Sequence, residues 1–186
     1  TFLGKVFQSP DPARDGRTIT VAETLDTAAK KLDTDLASLP ARRPKLQLTL
    51  GNTYQALGLA RQAIPLQDKA RDYYLATFGR QHPDTLAAMS SLASSYEDVD
   101  RLDESLKLRE EVLRRSREKL GLEHSTTLKA MGNLASNYYG LGRRKEALAL
   151  REETLAICHR VLGTEHPFTL AAMHNLASSS PDRRPS

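Results

Sequence analysis

The chain has no tryptophan, a single cysteine and few aromatic residues, only six tyrosines and four phenylalanines in 186 positions. A core made without large rings falls to Leu, Ala and Met, which pack well between helices, and few strands are expected. Cys158 alone excludes an internal disulfide and a four-cysteine zinc site. It lies in a helical pattern where a small buried apolar residue serves. Long apolar runs are also missing: nothing approaches the roughly 18 uninterrupted apolar residues of a spanning helix. The start lacks the basic flank and apolar stretch of a signal peptide. A soluble chain with no direct membrane insertion is expected. Because it opens on Thr1, and Phe2, Leu3, Val6 and Phe7 read as the end of an amphipathic helix, a longer parent protein is expected too.

An excess of one charge is absent as well. The 27 basic and 23 acidic residues give a net charge of +4 and are interleaved along the helical patterns. The densest basic run, Arg114-Arg115-Ser116-Arg117, is preceded four residues earlier by Glu110 and Glu111, the orientation that pairs along a helix surface. Nucleic-acid binding is not expected. Enzyme signatures are missing: there is no glycine-rich phosphate loop, no His-Arg-Asp or Asp-Phe-Gly, and no Gly-x-Ser-x-Gly. No catalytic residue and no cofactor are assigned.

What is present is a repeat. Phe78 to Ala93 returns as Leu120 to Ala135 and again as Leu162 to Ala177. Gly79, Gly121 and Gly163 stand 42 residues apart, as do His82, His124 and His166 and also Tyr54, Tyr96 and Tyr138. Self-similarity at such a period marks a stacked repeat protein. Three histidines in register suggest a metal ladder, but stacked helices lie about 10 Å apart while zinc ligands must meet within roughly 4 Å of one another. A structural role at each loop is expected, and no metal site.

Taken in order, Ser9-Pro10-Asp11-Pro12 breaks the opening turn, and Thr20 with Glu23 forms a capping box. Val21, Leu25, Ala28, Leu32 and Leu36 place an apolar stripe on a helix running to about Leu39, which Pro40 and Pro44 end. This helix falls outside the repeat and is expected to cap it. Three helical hairpins follow. The first pairs 44–58 with 60–77, the second 83–99 with 102–119, and the third 125–141 with 145–161. A last unpaired helix starts at Pro167. Pro83 and Pro167 suit a first helical position, and Gly after Leu120 and Leu162 is expected to stop a helix in the left-handed conformation. Met89, Leu92, Ala93 and Tyr96, and again Met131, Leu134, Ala135 and Tyr138, make one buried stripe each. The resulting division is 1–43 as N-terminal capping helices, 44–177 as repeats (44–78, 79–120, 121–162 and a partial 163–177), and 178–186 as a flexible tail.

The pieces Leu-Gly-x-Glu-His-Pro-x-Thr-Leu (162–170), Asn-Leu-Ala (133–135), Tyr138, the Gly-Arg turn (142–143) and Glu-Ala-Leu (146–148) resemble the tetratricopeptide repeat of the 42-residue kind found in kinesin light chains and many bacterial proteins. The resemblance spans residues 44 to 177. It implies an all-α, right-handed superhelical solenoid of antiparallel helix hairpins. Residues 2–59, from Phe2-Leu3 through Leu50-Gly51, Tyr54 and Leu57-Gly58-Leu59, are similar to the segment after the kinase domain of bacterial serine/threonine kinases. That implies a catalytic domain upstream. It favours a cytoplasmic chain, or one tethered through a membrane-anchored kinase.

In such an array the first helix of each hairpin lines a concave groove suited to a peptide or partner helix. In the family register the groove-facing positions are Lys45, Leu48 and Asn52; Ala87, Ser90, Ser91 and Ser94; Lys129, Gly132, Asn133, Ser136 and Tyr139; and His174, Asn175 and Ser178. Asn52, Ser90, Ser94, Lys129, Asn133, Ser136, Tyr139, His174 and Asn175 are the candidate protein-binding residues. Asn both donates to and accepts from a peptide backbone, and Lys129 suits an acidic group; the competing reading has the Asn residues bridging adjacent helices. The carboxylate clamp of chaperone-binding members is matched at Asn52 and Lys129 and not at Leu48, Ser91 or Asn133. The expected function is a non-catalytic interaction module, a scaffold or regulatory segment of a bacterial signalling protein. The alternatives are homodimerisation through the unpaired C-terminal helix, which leaves Met173 and Leu176 at an edge, and a cargo-adaptor-like domain.

Overall fold

A computed structural model describes residues 21–35 and 41–179. Among the described residues eight α-helices follow one another: α1 (Val21–Asp35), α2 (Arg43–Ala56), α3 (Ala60–Phe78), α4 (Pro83–Glu97), α5 (Leu102–Leu120), α6 (Ser125–Gly140), α7 (Arg144–Leu162) and α8 (Pro167–Ala177). No strand occurs among the described residues. Each helix packs mainly on its neighbours in sequence, so the chain stacks as hairpins α2–α3, α4–α5 and α6–α7, closed by α1 at one end and α8 at the other. The opening turn, the capping-box Thr20, the expected helix end at 36–39 and residues 180–186 of the tail lie outside the described residues.

The repeated loop motif explains the helix starts. His82, His124 and His166 are the N-caps of α4, α6 and α8. Each accepts at Nδ1 a hydrogen bond from the backbone N–H two residues on, at 3.2, 3.1 and 3.1 Å. A His in this role satisfies one of the N–H groups that a helix start leaves without a partner, as Ser or Asp does elsewhere, and acceptance at Nδ1 puts the ring proton on Nε2. In the second repeat Thr85 closes the loop by donating to the Gly79 carbonyl at 2.9 Å. Thr127 and Thr169 hold the same buried place in the next two copies.

The glycines after α3, α5 and α7 correct one expectation. Gly79, Gly121 and Gly163 have φ near +82° but ψ of 176°, 170° and 169°, extended and not left-handed helical. This region is open essentially to glycine alone, so the chain straightens directly into the next N-cap. The left-handed residue sits in the other turn, within each hairpin, where Gly58 and Gly142 both have φ of 74°. Asp100 occupies that place in the second hairpin with φ of 61°. Arg101 and Arg143 then stack over Tyr96 and Tyr138, at 4.2 and 4.3 Å from the ring centroids, and pair with Glu104 and Glu146.

The interior is divided. One cluster, including Met89, Leu113, Leu128, Met131, Leu134 and Ile157, runs through α4–α8. Another, with Leu25, Leu32, Leu50, Tyr54 and Leu66, joins α1 to the first hairpin. Between them lies only a small group, Ala70, Tyr74 and Ala88. The cap is also fixed by polarity: Tyr54 donates to Asp26 Oδ1 at 2.6 Å, and burial together with that carboxylate pushes the phenol well above its usual pKa. Cys158 is 1% exposed, and burial raises its thiol pKa, so it behaves as a core residue.

Candidate protein-binding groove

The N-terminal halves of α4 and α6 stand apart, and the space between them is a cleft of about 510 Å³. Leu86, Ala87 and Ala130 form its walls, with Val112 and Leu120 of α5 behind them. The polar lining comes from Gln81, Asp84 and Ser90 on the α4 side and from His124, Thr126, Lys129 and Asn133 on the α6 side. The pattern of the helices produces this shape. Ala at 87 and 130 is too small to fill the gap between the first helices of successive hairpins, so an apolar hollow is left open to solvent.

Three of the nine candidate residues, Ser90, Lys129 and Asn133, therefore share one cleft. Asn133 and Lys129 are exposed. The Asn133 amide has no hydrogen-bond partner among the described residues, and Lys129 has no ion pair there; its Nζ lies 5.4 Å from the Phe168 ring centroid. The Ser90 hydroxyl donates to Leu86 O at 2.9 Å and keeps its acceptor capacity.

The other candidates lie elsewhere. Asn52 accepts from Gln67 Nε2 at 3.1 Å, so here the bridging role describes the contact. Ser94 bonds to Ser90 O and accepts weakly from Arg109 at 3.4 Å. Ser136 donates to Gly132 O. His174 is exposed, and its backbone carbonyl accepts from Ser178. Tyr139 and Asn175 meet at a residue that the sequence reading passed over, Arg151. Its Nη1 donates to Asn175 O at 2.6 Å and to the Ser179 hydroxyl, and its guanidinium lies 5.2 Å from the Tyr139 ring centroid.

Arg151 belongs to a row on the second helices: Gln67, Arg109 and Arg151 are one 42-residue period apart. All three are buried. Arg109 is 6% exposed, forms an ion pair with Glu97 through Nη2, and donates from Nε to Ser105 at 3.2 Å; Ser105 in turn accepts from Asn137 at 2.9 Å. This buried chain of bonds ties the second hairpin to the third. The signal lies in the 42-residue register of the second helices, where Gln67, Arg109 and Arg151 align.

Antiparallel hairpins stacked at a constant period, with a cleft between their first helices, define a helical-repeat solenoid with a ligand-sized groove. The tetratricopeptide repeat model matches at residues 42–118, 87–157 and 126–179, and the chain belongs to that family. Its fold is the right-handed superhelical solenoid of these proteins. The crystal structure of "Podosopora anserina putative kinesin light chain nearly identical TPR-like repeats" is 31% identical, with a TM-score of 0.68 over 74% of this chain and 65% of that one. The match thus spans less than two thirds of that relative. BtubC (BKLC) from P. vanneervenii is 22% identical at a TM-score of 0.68, over 87% of this chain and 66% of that one. MamA is 16% identical at 0.52, over 88% of this chain and 94% of that one. These last two likenesses concern the fold alone. No functionally curated protein matches significantly. The family match begins at residue 42 and takes in none of residues 1–41, so the kinase-related likeness of that segment finds no support in it. No described helix is long and apolar enough to cross a membrane.

Proposed function

We propose that the chain is a non-catalytic interaction module that holds an extended segment of a partner protein in the cleft between α4 and α6. The observation that carries this is the apolar hollow of about 510 Å³ beside the Asn133 amide and the Lys129 ammonium, neither of which has a hydrogen-bond or ion-pair partner among the described residues. An apolar side chain of the peptide fills the hollow, Asn133 brackets its backbone, and Lys129 favours an acidic neighbour. Membership of the tetratricopeptide family supports the reading, as does the 31% identity to the TPR-like repeats of the Podosopora anserina structure. In the same reading the module is the scaffold or regulatory segment of a bacterial signalling protein, kinase-associated through the sequence upstream of Thr1. Kinase motifs in the reading frame before Thr1 support that placement, and their absence contradicts it.

The test uses peptides selected on the wild-type chain from a random 12-residue display library. Asn133→Ala combined with Lys129→Glu is expected to weaken a selected peptide by about ten-fold or more, the effect of losing one neutral and one charge-assisted hydrogen bond. Helicity by circular dichroism stays the same, because both side chains are exposed. Undiminished binding contradicts the site.

A second reading, self-association, rests on α8, where Leu170 and Met173 are 50% and 43% exposed. In that reading Met173→Glu turns a dimer into a monomer by light scattering. A wild type that is already monomeric at high concentration eliminates it.

A further inference from the structure

Arg109 and Arg151 occupy the same place in successive hairpins, yet their surroundings differ: Ser105, which accepts from Arg109 Nε, is Ala147 one period later, and the carboxylate is lost as well. Where α4 presents Glu97 to Arg109, the residue one period later on α6 is Tyr139. The second hairpin therefore carries its own carboxylate on the buried guanidinium, and the third carries an aromatic ring. Arg151 is only 9% exposed, and no ion pair to it exists among the described residues. Nη1 is taken by Asn175 O and Ser179, but Nε is buried without a partner and Nη2 has none among the described residues. Nη2 is the atom that holds Glu97 in the Arg109 copy. A buried cation with no counter-charge is costly, and burial pulls its pKa below the usual arginine value. The neighbourhood is otherwise cationic: Arg144 is exposed, has no ion pair among the described residues, and lies 5.7 Å from the same Tyr139 ring. Tyr139 itself is 39% exposed beside the guanidinium.

We propose that Arg151, framed by Tyr139 and Arg144, is the receptor for a carboxylate side chain of an acidic peptide lying in the groove. The peptide's Asp or Glu takes the place that Glu97 fills on Arg109, accepting from Nη2, while Tyr139 packs against its methylene groups. The inference rests on the groove reading and adds a specificity position one repeat beyond the cleft. It assigns the chain a partner segment with an apolar residue at the α4–α6 cleft and an acid further along toward α8.

The molecule supplies its own control substitutions. Arg151→Gln places there the residue of the first repeat, Gln67, and Tyr139→Glu restores the carboxylate that Glu97 supplies in the second. Tyr139→Glu is expected to raise the melting temperature, because it neutralises a buried charge, and to block the site. Arg151→Gln is expected to leave the melting temperature unchanged or higher. Peptides selected from the 12-residue library on wild type should be enriched in Asp or Glu at one position. Changing that acid to its amide should weaken wild-type binding by about ten-fold, as expected for a charge-assisted pair, and binding to either variant by less than about two-fold. Peptides that bind in the cleft with the same acid preference on Arg151→Gln overturn this site and leave the groove reading standing. Recovery of no peptide at all overturns both. If Asp182→Asn lowers the melting temperature and raises affinity for the acidic peptide, the chain's own tail is the occupant, and the proposal fails.

Discussion

Glu97→Ala is expected to destabilise the chain by about 3 kcal/mol, the low end of the cost of stranding one member of a buried ion pair. The Arg109 side chain is 7% exposed and its partner Glu97 29%, so Glu97 retains some water and Arg109 almost none. Without the carboxylate, Arg109 keeps only two hydroxyl contacts, to Ser105 at 3.2 Å and Ser94 at 3.4 Å. Hydroxyls accept hydrogen bonds but do not neutralise charge, so the desolvated guanidinium is left with most of its cost. Two comparisons separate charge from packing. Glu97→Tyr, which imports the third repeat's arrangement, should cost less than Glu97→Ala, since a ring face attracts the cation. Adding Arg109→Gln to Glu97→Ala should recover most of the loss, as Gln67 already fills that place in the first hairpin. Urea unfolding followed by circular dichroism measures all three. A Glu97→Ala variant within about 0.5 kcal/mol of wild type, the range of an ordinary surface change, refutes the role given to the pair.

Met131→Ala is expected to cost about 2–5 kcal/mol, the range for emptying a fully buried long side chain. Met131 is 0% exposed at the centre of the cluster that joins α4 through α8. In a stacked array each unit is held chiefly by its neighbours, so the damage should be regional. Amide exchange is expected to quicken across α4–α7 and to change little in α1 and α2, whose apolar residues belong to a separate cluster. The small group formed by Ala70, Tyr74 and Ala88 is the joint where protection should change over. Equal acceleration along the whole chain would show one cooperative unit and contradict the divided core.

The solenoid was legible because its signals are local and recur. Gly, His and Tyr at a period of 42 place the turns, and the Met-Leu-Ala stripes place the core, before any contact is known. The bounds of the repeat helices then follow to within a residue or two, since Pro83 and Pro167 start helices and Leu-Gly ends them. The repeated histidines carried their meaning less openly: a His offers an acceptor at Nδ1 or a metal ligand alike, and only the loop geometry makes it an N-cap. The candidate groove divides the same way. Ser90, Lys129 and Asn133 come together because each faces the gap left by Ala87 and Ala130. Asn52 is drawn off by Gln67, a partner supplied by the second helix of its hairpin. Arg109 and Arg151 are not legible in the sequence as buried, because Arg on an amphipathic helix reads as surface and the burial of these two depends on how neighbouring hairpins pack.

The cleft between α4 and α6 is tested most directly by nuclear magnetic resonance of the ¹⁵N-labelled chain titrated with a peptide selected on it. Bound peptide should shift the backbone amides of Ser90, Lys129 and Asn133 and the side-chain amide of Asn133, with the amides around Tyr139 following when the peptide carries its acid. Shifts confined to the exposed faces of α3, α5 and α7, or to the Leu170–Met173 edge of α8, would contradict the account.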